Sequence, residues 1–179
     1  VTGGALAVGA AAVTIAALVL GGSKPVHALV TPARLGAFVR RPQLEQQMHA
    51  KDLQQQVVAR SAGQASHVVD AVYEDNSGVA GGTGPQVILF IGGNLSGASP
   101  SGYIASFTRQ LKGVQHTSAG SLGGQAACVN AQANVAGSVA LCTWADNDTF
   151  GVVASPTMDA AQLGAQMRTI RPLVEHSAR

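Results

Sequence analysis

The first apolar block of the chain is continuous: from Ala5 to Leu20 no residue is charged and only Thr14 is polar. With its flanking glycines the block runs from Gly3 to Gly22, which matches the roughly 20 residues a helix needs to cross hydrocarbon. The pattern predicts a transmembrane helix over residues 1–22 that holds the chain in a lipid bilayer through residues 3–22. A secretory signal peptide is the alternative, because Val26 and Ala28 are the small residues that a signal peptidase accepts before a cut following Ala28. No cysteine lies nearby to carry a lipoprotein anchor. The nearest basic residues, Lys24, Arg34, Arg40 and Arg41, follow the block, whereas the positive-inside bias wants them on its cytoplasmic side. Since the chain opens on Val, the reading places a basic stretch upstream of it.

Residues 23–42 carry Pro25, Pro32 and Pro42 with neither helical nor alternating periodicity, and read as an extended juxtamembrane linker. From Pro42 the pattern changes. Residues 43–60 lack glycine and place Leu44, Met48, Leu53 and Val57 on one side of a helix. Residues 68–73 read as a strand, closed by the glycine-rich stretch 74–85. The apolar run 87–91 reads as a central strand ended by Gly92 and Gly93. Ser99 and Pro100 open a second helix, in which Tyr103, Ile104, Phe107 and Leu111 recur at helical spacing. Residues 113–125 read as loop, and 126–131, 138–144 and 150–155 as a meander of three short strands. A last helix follows Ser155 and Pro156, with Leu163, Met167 and Ile170 as its stripe and Pro172 as its stop. These elements predict an α+β domain over residues 43–179, with an antiparallel sheet of about five strands covered on one face by the two later helices.

Composition adds to this picture mainly by what it excludes. Only 11% of residues are charged against 46% hydrophobic, and the net charge of +2 is scattered without a basic run, so nucleic acid is not an expected partner. Cys128 and Cys142 are the two cysteines, each in a predicted strand, with the turn 130–137 folding those strands side by side. A disulfide between them is expected, and it requires the oxidising compartment that the N-terminal block independently predicts. Their spacing has neither the Cys-x-x-Cys form of a redox pair nor the ligand spacing of a zinc site.

The search for chemistry yields no reaction centre and no cofactor motif. Ser121 lies outside any nucleophile elbow, and His27, His49, His67, His116 and His176 are spread singly. The glycine-rich stretch 92–97 lies between a strand and a helix like a phosphate cradle, yet lacks the spacing and the lysine of one. Asp146, Asn147 and Asp148 offer oxygen ligands to calcium but are too few for its coordination shell, and read better as an Asx turn. Trp144, the sole tryptophan, is expected to pack in the core, or else to form a candidate binding surface with Asp146, Asn147 and Asp148.

The apolar N-terminus, the segment 125–129 around Cys128, the run 142–151 from Cys142 through Trp144 and the Asp-Asn-Asp turn to Gly151, and the segment 155–158 together resemble a group of uncharacterised actinobacterial proteins with one membrane span and an exported C-terminal region. The resemblance implies no activity and no site. The sequence therefore supports a non-enzymatic, membrane-anchored extracytoplasmic domain that binds a protein, the cell envelope or a small ligand. Two alternatives stand beside it. One is an envelope enzyme with a composite site drawing on Asp146, Asp148 or His116 as acid or base, which requires a deep pocket that gathers them. The other is a sensor or lipid-binding domain, which requires an apolar cavity between sheet and helices.

Overall fold

Successive side chains of a strand point to opposite faces of its sheet, and a sheet covered on both faces is apolar at nearly every position. The central strands of this chain follow that rule. The structure, a computed structural model, describes residues 27–61, 63–75, 84–133 and 137–177. The chain forms β1 (His27–Leu29), β2 (Arg34–Leu35), β3 (Phe38–Arg40), α1 (Pro42–Gln47), α2 (Ala50–Arg60), β4 (Ala65–Asp75), β5 (Gln86–Leu95), α3 (Pro100–Thr108), β6 (Gln115–Thr117), β7 (Gln125–Ala133), β8 (Gly137–Ala145), β9 (Thr149–Ser155), α4 (Ala160–Val174) and β10 (Glu175–Ser177). Eight strands make one antiparallel sheet in the order β2-β3-β4-β5-β9-β8-β7-β6, and β1 pairs with β10 in a separate two-stranded ribbon.

The two faces bury different side chains. On one face α4 sets Leu163, Met167 and Ile170 against Phe90, Trp144, Val153 and the two cysteines. On the other, α1 and α2 cover Val72, Leu89 and Ile91, while α3 sets Ile104 over Ala127, Ala145 and Phe150. Strand alternation places Ala126 and Cys128 in the first core and Ala127 in the second.

This architecture corrects the predicted α+β fold. The protein is mostly β, with an eight-stranded sheet rather than about five strands, and its later helices α3 and α4 lie on opposite faces rather than together. The undercount has a physical origin: β2, β3 and β6 are two or three residues long, too short to show an alternation of their own. β3 and β2 come from the stretch expected as a linker, where Val39 and Arg40 pair with Glu74 and Tyr73 of β4. Residues 27–40 are thus part of the folded unit. The predicted transmembrane helix lies outside the described residues, among which no helix is long and apolar enough to cross a membrane.

Local differences are equally explicable. The helix expected over 43–60 is split into α1 and α2 at His49, whose left-handed backbone (φ 51°) turns the chain before Ala50. The strand expected to stop at Gly92 runs on to Leu95. Its glycines permit close approach, since a Cβ on Gly92 would lie 2.9 Å from the Phe150 carbonyl oxygen and one on Gly93 2.7 Å from that of Ser66. Residues 92–95 are thus buried inside β5, and only Ser96 and Gly97 of the stretch 92–97 lie exposed beyond it. α4 is capped by Asp159, not by Ser155: the Asp159 carboxylate accepts from the Gln162 backbone N–H at 2.8 Å, and Gln162 returns the bond to complete a capping box. Pro172 lies inside α4, exposed, and the helix continues to Val174.

Candidate functional site

The cysteines are joined as expected, Cys128 lying directly opposite Cys142 on β7 and β8 with their Cα atoms 4.1 Å apart. α4 presses on the bridge, and it does so through Gly164, where a Cβ would come within 3.2 Å of the Cys128 sulfur. Trp144 is fully buried on the same face, its ring parallel to Phe90 at 6.0 Å. Gly151 makes room for it, because a Cβ there would overlap the indole. Trp144 is therefore a core residue and offers no surface.

The acidic turn after Trp144 is an Asx turn. Asp146 Oδ1 accepts the backbone N–H of Asp148 at 3.0 Å and of Thr149 at 2.7 Å, and its Oδ2 accepts the Thr149 hydroxyl at 3.0 Å. That carboxylate also takes the guanidinium of Arg171, which is fully buried on α4. Arg171 donates to Glu175 at 2.8 Å and to the Ala119 and Gly123 carbonyls, and stands 5.8 Å over the Trp144 ring. Asp148 faces the start of the domain: it accepts the His27 backbone N–H at 2.8 Å and lies 3.4 Å from His27 Nδ1, while Asn94 donates to the His27 carbonyl at 2.7 Å. Asn147 is exposed beside this cluster.

The electrostatics of the cluster are those of a closed network. Burial works against the ionisation of Asp146, but the N–H groups of Asp148 and Thr149 together with the neighbouring Asp148 and Glu175 side chains hold the carboxyl below the ordinary aspartate range. Burial pushes Glu175 above the ordinary glutamate range, opposed by Arg171 and reinforced by the neighbouring Asp146 charge. Arg171 and Glu175 are closed to solvent and bonded within the protein, and with Asp146, Asp148 and His27 they clamp β1, α4 and the 118–124 loop to the end of the sheet. The residues named as a composite acid–base site do not converge on a pocket: Asp146 and Asp148 serve this clamp, and His116 is exposed on edge strand β6. His49, His67 and His176 are likewise exposed, as is Ser121. Among the described residues no three His, Cys, Asp or Glu side chains gather in a way that would hold a metal ion.

A cleft of about 760 Å³ opens on the opposite face, in the range typical of small-ligand sites. It follows from helix placement. α2 packs on β4 and α3 on β7 and β8, so the gap between the helices lies over β5 and β9. Phe150 of β9 is its buried floor, and the half-buried Tyr103 packs on Phe150 at 5.1 Å and on Phe107 at 6.4 Å. Burial raises the Tyr103 hydroxyl well above the ordinary tyrosine range, offset only in part by the Thr143 hydroxyl beside it, so the ring stays neutral. Serine hydroxyls line the walls, and the rim carries Arg60 from the end of α2 and Arg109 from the end of α3.

Sequence reasoning missed this cleft. Tyr103 and Phe107 were legible as a helical stripe, but Arg60 and Arg109 lie 49 positions apart and only the packing of two non-adjacent helices brings them to one rim. Comparison with known protein families, with curated proteins and with solved structures finds no match to this chain.

Proposed function

We propose that this chain is a non-enzymatic extracytoplasmic domain, anchored to a membrane by its N-terminal segment, that binds a small molecule in the cleft between α2 and α3. The observation that carries the reading is the pairing of an accessible cleft, floored by aromatic rings, with a set of acid–base groups that is closed off elsewhere by internal bonds. A catalytic site needs its titratable groups in reach of a substrate, and Asp146, Arg171 and Glu175 are bonded to one another on the opposite face from the cleft. The cleft is open and mixed in polarity, which favours a ligand with a polar head over a wholly enclosed lipid.

Two features support the placement outside the cytoplasm and the anchor. The Cys128–Cys142 bridge persists only where thiols are oxidised. A cut after Ala28 would remove His27 and Ala28, two of the three residues of β1, together with the Asp148 and Asn94 bonds to His27. Retention of the segment keeps β1 intact. Alkylation of the denatured chain from intact cells, with and without reductant, tests the compartment: thiols reactive without reductant would overturn it.

Binding is tested with the neutral dye phenylnaphthylamine on the full chain. Saturable dye binding that is lost in Ser106→Trp, a substitution that fills the cleft from the exposed side of α3, supports the site. Dye binding that survives that substitution overturns it.

A further inference from the structure

We infer that the cleft selects an aromatic carboxylate, an inference that rests on the cleft being a binding site at all. Charge comes first. Among the described residues neither the Arg60 nor the Arg109 guanidinium makes a hydrogen bond or ion pair, whereas those of Arg40, Arg41 and Arg171 are each tied to a carboxylate. No Asp or Glu lines the cleft. A helix C-terminus accounts for a cation at each of these positions, because it complements the helix dipole, but it does not account for two of them lining one cleft unpaired. Two free guanidiniums without a counter-charge present a ready oxyanion site, and the planar fork of each matches the planar carboxylate.

The shape of the floor specifies the rest of the ligand. Tyr103, Phe107 and Phe150 form a continuous patch of rings in which Tyr103 and Phe107 remain half-buried. Half-buried rings offer a face to another planar ring and gain by stacking beyond simple area burial. An enclosed acyl tunnel is not what this open cleft provides. The ligand class that uses both features carries a flat apolar body over the rings and a carboxylate at the arginine rim.

The test uses naphthoate and its uncharged counterpart naphthamide as competitors for the neutral dye on the full chain. The expected result is a preference for naphthoate over naphthamide of roughly tenfold or more, the scale of a charge-assisted hydrogen bond, shrinking as salt screens the rim. In the double variant Arg60→Gln/Arg109→Gln that preference falls to near unity, and retained dye binding certifies its fold. Equal binding of the two competitors, with the dye still bound in the cleft, overturns the carboxylate assignment and leaves the cleft as a binding site. Absence of saturable dye binding overturns both. The salt series on the unmodified protein decides the same question without any variant: a preference for naphthoate that is insensitive to salt overturns the arginine rim as its source.

Discussion

Replacing Arg171 by methionine keeps the apolar stem of the side chain and removes its charge from a site that is fully buried. Glu175, with a side chain closed to solvent, then loses both its bonds to the guanidinium, and Asp146 loses its ion pair. The Ala119 and Gly123 carbonyls lose their donor as well. Removing one member of a buried ion pair typically costs about 3–5 kcal/mol, against a total stability of roughly 5–15 kcal/mol for a domain. Arg171→Met is therefore expected to remove roughly a fifth or more of the stability at neutral pH. The sign of its pH dependence follows from Glu175. Its carboxyl already sits above the ordinary range through burial, with Arg171 pulling it down, so the variant raises it further. A raised carboxyl favours the folded state in its protonated form, so the deficit shrinks as pH falls through that higher pKa. Urea unfolding read by the fluorescence of Trp144, the sole tryptophan and fully buried beside Arg171, measures both effects. A neutral-pH loss below ~1 kcal/mol, the scale of an exposed pair, or a deficit that does not change with pH, would refute the clamp.

Reduction of the Cys128–Cys142 bridge, which closes a separation of 14 residues, is expected to cost about 3 kcal/mol, checked by thermal unfolding with and without reductant. Gly151→Ala and Gly97→Ala form a contrast read by urea midpoints. The first forces a methyl into the Trp144 ring and is expected to cost about 2 kcal/mol or more. The second meets open space and carries only the cost of its left-handed backbone, about 1 kcal/mol. The Tyr73 hydroxyl, which donates to the Pro32 carbonyl at 3.0 Å, is pushed up to about 12 by burial from an ordinary 10.0. Its contribution to stability is thus complete below pH 10 and lost between pH 10 and about 12, a loss expected to be absent from Tyr73→Phe in alkaline unfolding.

Legibility in the sequence followed the length of the elements. The middles of β4 and β5, over 68–73 and 87–91, and the meander over 126–155 were visible because each strand is long enough to carry a pattern. β1, β2, β3 and β6 were not, since two or three residues among prolines and glycines have no periodicity. The disulfide was legible because both cysteines fell in adjacent strands. The faces of the helices were not, because a sheet covered on both sides no longer alternates and so hides which side each helix takes. The site divides in the same way. Asp146 announced its turn, and Arg171 with Glu175 stands at the four-residue spacing of a helical ion pair. That the two meet depends on α4 running back along β8. The Arg60–Arg109 rim is farther still from any local signal.

Sheet geometry separates the clamp from the cleft, and one experiment can use that separation. The clamp, the disulfide and Trp144 belong to the α4 face, whereas the cleft belongs to the face under α2 and α3, with strands β5 and β9 between them. A ligand in the cleft touches the folded state alone and stabilises it by mass action, about 2.7 kcal/mol at a concentration 100-fold above its dissociation constant. It does so without reaching Trp144, whose ring packs on Phe90 and Arg171 across the sheet. Saturating naphthoate is therefore expected to raise the urea midpoint while leaving the emission wavelength of native Trp144 unchanged. Packed interiors transmit displacement, so a ligand that entered the α4 core would shift that emission. A Trp144 shift that follows the binding curve would move the site to the other face and refute the placement in the cleft.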